Sequence, residues 1–79
     1  MKKYNLIFLS NAKLQLSKRF FNSWQEIQSF YEDYMTSIEF NSLEEVNDYL
    51  CIEYNLTIEQ ASILTAKINA AENDIELMF

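Results

Sequence analysis

Acidic side chains are the residues of this sequence whose type and spacing could do chemistry. Carboxylates three or four positions apart on a helix lie about 5 to 6 Å from one another. Such a row can substitute for the phosphates of a nucleic-acid strand, which carry one charge per roughly 3.4 Å of rise. We therefore predict a partner-binding surface on two helices and the segment between them. Its residues are Glu26, Glu32, Asp33, Glu39, Glu44, Glu45 and Asp48.

Catalysis and metal binding find little support in the residue types present. The chain has no histidine, so it lacks the side chain that most often acts as a general base near neutral pH. It has no glycine, so a glycine-rich phosphate-binding loop or calcium-binding loop cannot form. A zinc site needs several Cys and His residues, and the chain has one cysteine, Cys51. We predict that the protein is not an enzyme and holds no cofactor or metal.

The charge of the chain is unevenly distributed. The formal net charge is -6, yet residues 1–19 contain five Lys and Arg and no acid. Residues 20–79 contain all twelve acids and a single cation, Lys67. A negative field of this kind repels nucleic acids and membrane surfaces and attracts basic proteins. We predict a basic protein partner of the nucleic-acid-binding enzyme class, and no direct contact with nucleic acid or membrane.

Three further properties suggest where the protein works. The single cysteine fits a reducing cytoplasm, and the apolar run Leu6–Leu9 is shorter than a signal peptide requires. The absence of Gly and Pro, together with many Asn, Lys and Ile, suggests AT-rich codons. Small size, acidity and this codon bias are similar to those of phage-encoded inhibitors of host nucleic-acid enzymes, including anti-CRISPR proteins. The resemblance implies a non-enzymatic inhibitor in the bacterial cytoplasm that occupies the basic groove of a host defence nuclease.

A second function remains open on the same sequence. The last predicted helix is apolar on two faces, and such a helix is either enclosed in its own domain or packed against another chain. The alternative is therefore a homodimeric structural or regulatory adaptor that acts through apolar helix faces. Its predicted dimer contacts are Tyr49, Ile52, Ile63, Ala66 and Ala70.

The stretch Ser23–Ile38 is the element expected to position the first acidic group. Its large apolar residues recur at helical spacing, opposite a polar and acidic face. Ser23 and Glu26 have the spacing of a capping box, which marks a helix start. We predict one amphipathic helix here, whose apolar stripe forms the centre of the core. The stripe is Trp24, Ile27, Tyr31, Tyr34, Met35 and Ile38, with Phe30 at its edge.

Two more helices are predicted from the same signals. Ser42 with Glu45 precedes a helix over about Leu43–Tyr54, and Thr57 with Gln60 precedes a helix from Ile58 to about Glu72. The C-terminal residues Ile75–Phe79 are too apolar for a free tail, so we expect them to pack on the core or on a partner.

The N-terminal region favours strands. Lys3–Ser10 is rich in aromatic and branched residues, Ser10–Ala12 is a turn signal, and Lys13–Phe20 alternates apolar and polar residues. A helix over Ala12–Phe21 competes with the second strand, and Thr36–Phe40 is either a short third strand or a loop. We predict a single small α+β domain, residues 1–79, in which an N-terminal β-hairpin with a possible short third strand packs on three α-helices. An all-α bundle is the alternative. The acids of the first two helices should then form one continuous negative surface.

Overall fold

The computed structural model describes residues 4–78 and shows a mixed α+β fold, which confirms the predicted class and excludes the all-α alternative. Four antiparallel strands form one sheet in the order β3-β1-β2-β4. The elements are β1 (Tyr4–Leu9), β2 (Leu14–Ser17), α1 (Trp24–Phe30), β3 (Tyr34–Phe40), α2 (Leu43–Tyr54), α3 (Ile58–Ala66), a 3₁₀ turn (Lys67–Asn69) and β4 (Asp74–Leu77).

The strands β1 and β2 pair across a turn that contains no glycine. The backbone N–H of Lys13 donates to the Asn11 side-chain oxygen at 3.1 Å, and Ala12 takes the positive φ of 66°. An Asn side chain commonly replaces a backbone acceptor in this way. In the resulting register, Leu6 pairs with Leu16 of β2 and with Ile38 of β3.

Helices cover both faces of the sheet. On one face, which we call the large-core face, α2, α3 and the 3₁₀ turn pack over Leu6 and Leu16. On the other, the small-core face, α1 packs over Ile7. Successive strand residues point to opposite faces, so Leu6 and Ile7 necessarily serve different cores. The buried hydrophobic residues of the large-core face are Tyr4, Leu6, Leu14, Leu16, Val46, Leu50, Ala61, Ile68 and Leu77, and those of the small-core face are Ile7, Phe21 and Ile27.

The prediction of one helix over Ser23–Ile38 is wrong. Helix α1 ends at Phe30, Tyr31 is extended, and Tyr34–Phe40 pairs with the outer edge of β1. Seven residues rich in aromatic and β-branched types fit a strand as well as a helix, and pairing with β1 satisfies their backbone groups. The expected central stripe is accordingly divided, and Trp24 and Met35 are 56% and 63% exposed.

The third predicted helix is also shorter than expected. Helix α3 ends at Ala66 instead of about Glu72, and the chain then returns to the sheet as β4. Ile75 and Leu77 pack on the large core, as predicted for the C-terminal segment, whereas Met78 is exposed. Phe79 and the N-terminal lysines Lys2 and Lys3 lie outside the described residues.

All three predicted helix caps are present. The side chains of Ser23, Ser42 and Thr57 each accept a hydrogen bond from the backbone N–H three residues later. The reciprocal bond of a full capping box forms only at Thr57, where the Gln60 side chain accepts from the Thr57 N–H at 3.0 Å. Glu26 and Glu45 instead accept from the residue before the cap. The caps fix where each helix starts, but they carry no information on where it ends.

Candidate partner-binding surfaces

The most concentrated acidic surface lies on the first two turns of α2. Glu44, Glu45 and Asp48 are exposed there and line a groove of about 450 Å³. Ile58 and Ser62 of α3 form part of its other wall. These three carboxylates are therefore brought together as the sequence predicts.

The groove is held open by a polar link between the two helices. Asn47 donates from its Nδ2 to Ser62 Oγ at 3.4 Å, and its Oδ1 accepts from Thr65 Oγ1 at 2.6 Å. Thr65 is buried, and its hydroxyl also reaches the Ala61 carbonyl at 3.0 Å. The link fixes the separation of α2 and α3, and hence the width of the groove.

The helices that form the groove contain no compensating cation. Residues 43–66 include five acids and neither Lys nor Arg. Two of the chain's cations are engaged at the end of β2. Lys18 Nζ donates to the Ile68 carbonyl at 3.0 Å, and Arg19 Nε lies 3.3 Å from the Asp74 carboxylate. Because α2 and α3 carry only negative charge, their solvent-facing sides form a strongly negative surface.

The other four predicted carboxylates do not join this surface. Glu26 is on α1, across the sheet from α2, and Glu39 is on β3. Glu32 and Asp33 are in the connection between α1 and β3, where Asn11 Nδ2 donates to Asp33 Oδ2 at 3.3 Å. The prediction of one continuous negative surface on the first two helices is wrong, because the first helix ends at Phe30 and packs on the opposite face.

The predicted dimer contacts differ among themselves in exposure. Ile52 and Ile63 are 80% and 65% exposed, and Ala66 and Ala70 are also exposed. Tyr49 is instead half-buried, with its ring centroid 6.4 Å from that of Phe8 and 5.5 Å from that of Phe40. Burial is the main reason that the pKa of Tyr49 is raised above its usual value. Tyr49 therefore packs on the protein's own core, which leaves four of the five residues on the surface.

One polar cluster was not predicted from the sequence. The Asp74 carboxylate accepts from Ser17 Oγ and from Tyr31 Oη, both at 2.6 Å, and it pairs with Arg19. Arg19 also lies 4.9 Å from the centre of the Phe30 ring. Burial, then the hydrogen bond to Asp74 and its charge, raise the pKa of Tyr31. The cluster connects α1 to strands β2 and β4. This contribution to the fold is enough to explain its presence.

Comparison with known proteins gives no further guide to function. No protein-family model, curated protein or solved structure matches the chain. Within residues 4–78, no three Cys, His, Asp or Glu side chains are grouped so that they could hold a metal ion. No helix in that range has the length and apolar character needed to cross a membrane.

Proposed function

We propose that this protein is a non-enzymatic binding protein that inserts its acidic α2 surface into the basic groove of a nucleic-acid-binding partner. The observation that carries the proposal is the grouping of Glu44, Glu45 and Asp48 in one groove on helices that lack any cation. The partner's Lys and Arg residues, placed to neutralise phosphates, pair with these carboxylates instead. The nucleic acid is thereby excluded.

The mechanism uses charge in two ways. The net charge of -6 attracts a basic groove over a distance and raises the rate of encounter. At contact, carboxylates one helical turn apart offer the partner a row of charges with spacing comparable to that of phosphates. A host defence nuclease is the target class that best fits a small acidic inhibitor, and the bacterial cytoplasm is the corresponding location.

We restrict the proposed contact surface from seven carboxylates to three. Glu26 is on α1, which the sheet separates from α2, and Glu39 is on strand β3, so neither belongs to the groove between α2 and α3. The proposal is accordingly restricted to Glu44, Glu45 and Asp48, with Ser42 and Ser62 as neighbouring hydroxyls of the same groove.

A charge-reversal experiment tests this proposal. The triple variant Glu44→Lys, Glu45→Lys, Asp48→Lys is compared with Glu32→Lys, Glu72→Lys, Glu76→Lys, which makes the same change in net charge at exposed sites elsewhere. Each protein is used to capture partners from a nuclease-treated bacterial lysate at about 50 mM salt. We expect the wild type and the control to capture the same basic protein, and the α2 variant to lose it.

The captured protein is then tested for nucleic-acid binding by mobility shift. Wild-type protein should compete with the nucleic acid, and its affinity should fall steeply between about 50 and 200 mM salt, as expected when several charge pairs form. If both triple variants compete equally well, or if the partner still binds nucleic acid in the complex, the proposal is wrong.

A homodimeric adaptor is the second candidate, favoured by the exposure of Ile52 and Ile63. Apolar contact of this kind should resist salt, in contrast to the charge pairs above. Sedimentation of the wild type and of Ile52→Glu, Ile63→Glu tests it. A dimer in 500 mM salt that the double variant abolishes supports the adaptor, and a monomer at about 100 μM excludes it.

A further inference from the structure

Strand β4 is an edge of the sheet, and its outer side is open in the part of the chain that the structure describes. It is the last strand in the sheet order and pairs with β2. The Lys18 N–H donates to the Asn73 carbonyl at 2.9 Å, which fixes the direction of the backbone groups that follow. Because these groups alternate along an antiparallel strand, Ile75 and Leu77 bond to β2, and the N–H and C=O of Glu76 point away from it. Glu76 therefore offers a donor and an acceptor to a further strand.

An apolar groove lies beside this edge. Its volume is about 290 Å³, and its lining residues are Leu56, Gln60, Ile63 and Leu64. The acidic groove is on the side of α3 that faces α2, and the apolar groove is on the other side of α3. Helix α2 packs on β1 and β3, so the side of α3 that is away from α2 faces the β4 end of the sheet. The 3₁₀ turn that continues α3 also contacts β4.

The charges around the edge favour one kind of occupant. Residues 70–79 contain three acids and no Lys or Arg. Glu76 is exposed on the small-core side of β4, whereas Ile75 and Leu77 pack on the large core. A strand that adds here thus meets a carboxylate on one side and an apolar groove on the other. A second copy carries the same acids and the same net charge of -6, so it would be repelled.

We propose that the β4 edge binds an extended segment of a partner protein in which basic residues alternate with large apolar residues. The segment adds antiparallel to β4 as a fifth strand, and its main chain bonds to that of Glu76. Its basic side chains lie beside the Glu76 carboxylate, and its apolar side chains enter the groove at Ile63 and Leu64. In strand addition, main-chain bonds supply affinity and alternate side chains supply specificity.

This site is separate from the acidic groove, because α3 lies between them. The inference therefore stands or fails independently of the proposed function. Strand β4 has four residues and so offers few main-chain bonds. Contact with the apolar groove has to supply much of the affinity, which makes the site accessible to substitution.

The inference is tested by NMR titration of the isotope-labelled full chain with the peptide acetyl-Thr-Lys-Leu-Lys-Leu-Lys-Thr-amide. Salt at about 150 mM screens attraction by net charge alone. We expect saturable binding with a dissociation constant below about 1 mM. At about ten times that constant, hydrogen exchange of the Glu76 amide should slow about tenfold, since only the unoccupied fraction exchanges. The Leu77 amide, already bonded to β2, should change little.

Modified peptides separate main-chain pairing from attraction between side chains. In the proposed register the backbone nitrogen of the central lysine faces β4. A methyl group on it should weaken binding about tenfold or more, because a hydrogen bond is lost and the strands are held apart. The same methyl group on the next leucine, whose nitrogen faces away from β4, is the matched control and should change binding by less than about twofold. Replacing the three lysines with glutamates should abolish binding.

A substitution in the groove tests the apolar contact. Ile63→Ser should weaken binding of the unmodified peptide about three- to tenfold through the loss of buried apolar area. Ile52→Ser is the matched control, since Ile52 lies on α2 and does not line the groove. Ile63 and Ile52 are 65% and 80% exposed, so neither change should unfold the protein.

The remaining outcomes overturn the inference. Equal binding of the two methylated peptides would show that main-chain pairing is not involved. Equal effects of Ile63→Ser and Ile52→Ser would show that the groove takes no part. Slower exchange at Ser37 instead of Glu76 would place the peptide on β3, the other edge of the sheet. The absence of a saturable shift up to about 5 mM peptide would exclude the site.

Discussion

The two faces of the sheet are built on different principles. Among the residues that the structure describes, the hydrophobic cluster of the large-core face has nine buried members beneath two capped helices. The hydrophobic cluster of the small-core face has three buried members beneath the seven-residue helix α1, and this face also carries the Asp74 cluster and a recess beside Trp24. Burial of apolar area is the dominant favourable contribution to folding. The comparison indicates that the large-core face supplies most of the stability, while the small-core face leaves polar groups accessible.

The strongest test of this difference is a pair of truncations, one for each core. Leu50 is fully buried on the large-core face, and Ile27 is the buried residue of α1. Leu50→Ala should lower the free energy of unfolding by about 3–5 kcal/mol, the upper part of the range for such cavities. Ile27→Ala should lower it by about 2 kcal/mol, because the thin covering layer can collapse into the space. Urea unfolding followed by circular dichroism measures both values.

The result also decides whether the two cores unfold together. Both variants should give a single transition with an unchanged urea slope if the sheet couples the cores. An equal loss from the two truncations would contradict the proposed division of stability between the faces.

The part of the large-core face formed by β1, β2, α2 and the start of α3 was predictable from the sequence because its signals are local, whereas the end of α3 and strand β4 were not predicted. In α2, the N-cap at Ser42 defines where the helix starts, and the spacing of Val46 and Leu50 defines its buried side. Strand β1 was recognised from its aromatic and branched residues, and in β2 the alternation of apolar and polar residues places Leu14 and Leu16 on the same side. These patterns depend on residues close in sequence, so one segment is enough to recognise them.

The small-core face was not predictable, because its structure depends on distant residues. A short strand over Thr36–Phe40 was one of two alternatives from the sequence, and the free edge of β1 is what makes the longer strand Tyr34–Phe40 the better state. In the Asp74 cluster, Asp74 contacts Ser17, which is 57 positions away in the sequence, and Tyr31, which is 43 positions away. No local sequence pattern indicates these contacts. The acids of the candidate site differ in the same way. Glu44, Glu45 and Asp48 were correctly predicted to lie on one helix, whereas Glu32 and Asp33 were predicted on a helix and lie in the connection between α1 and β3.

Removing the Asp74 carboxylate tests whether the small-core face is stabilised by polar contacts. Asp74→Ala leaves the fully buried Ser17 hydroxyl and the Tyr31 hydroxyl without their acceptor. Such losses cost about 1–3 kcal/mol for each group that becomes unsatisfied, and the cost is reduced at the half-buried Tyr31 by access to solvent. We expect a total of about 2 kcal/mol by urea unfolding. Asp48→Ala, which removes an exposed carboxylate on α2, is the matched control and should change stability by less than about 0.5 kcal/mol.

A comparable loss in the two Asp variants would mean that the Asp74 cluster contributes no more than surface charge does. A further loss confined to α1, seen as faster amide exchange at Ile27 with β1 unaffected, would instead show that the cluster mainly fastens α1 to the sheet.

The smallest expected effect comes from a single hydroxyl in the same cluster. Tyr31→Phe removes the 2.6 Å hydrogen bond to Asp74 and should cost about 1 kcal/mol at pH 7. The pKa of Tyr31 is raised in the folded protein, mainly by burial and then by Asp74. Above about pH 10, where an unfolded tyrosine loses its proton, the folded protein keeps the Tyr31 proton. Deprotonation then favours the unfolded state, so stability should fall as the pH rises.

The Phe variant has no proton to lose at this position, so its stability should fall less between pH 9 and pH 11 than that of the wild type. The difference between the two urea midpoints should therefore narrow with increasing pH. Tyr49 and Tyr54 also have a raised pKa, but they are present in both proteins, so their contributions cancel in the comparison. A constant difference from pH 7 to pH 11 would show that the Tyr31 hydroxyl ionises equally in the folded and unfolded states, and hence that neither burial nor Asp74 raises its pKa.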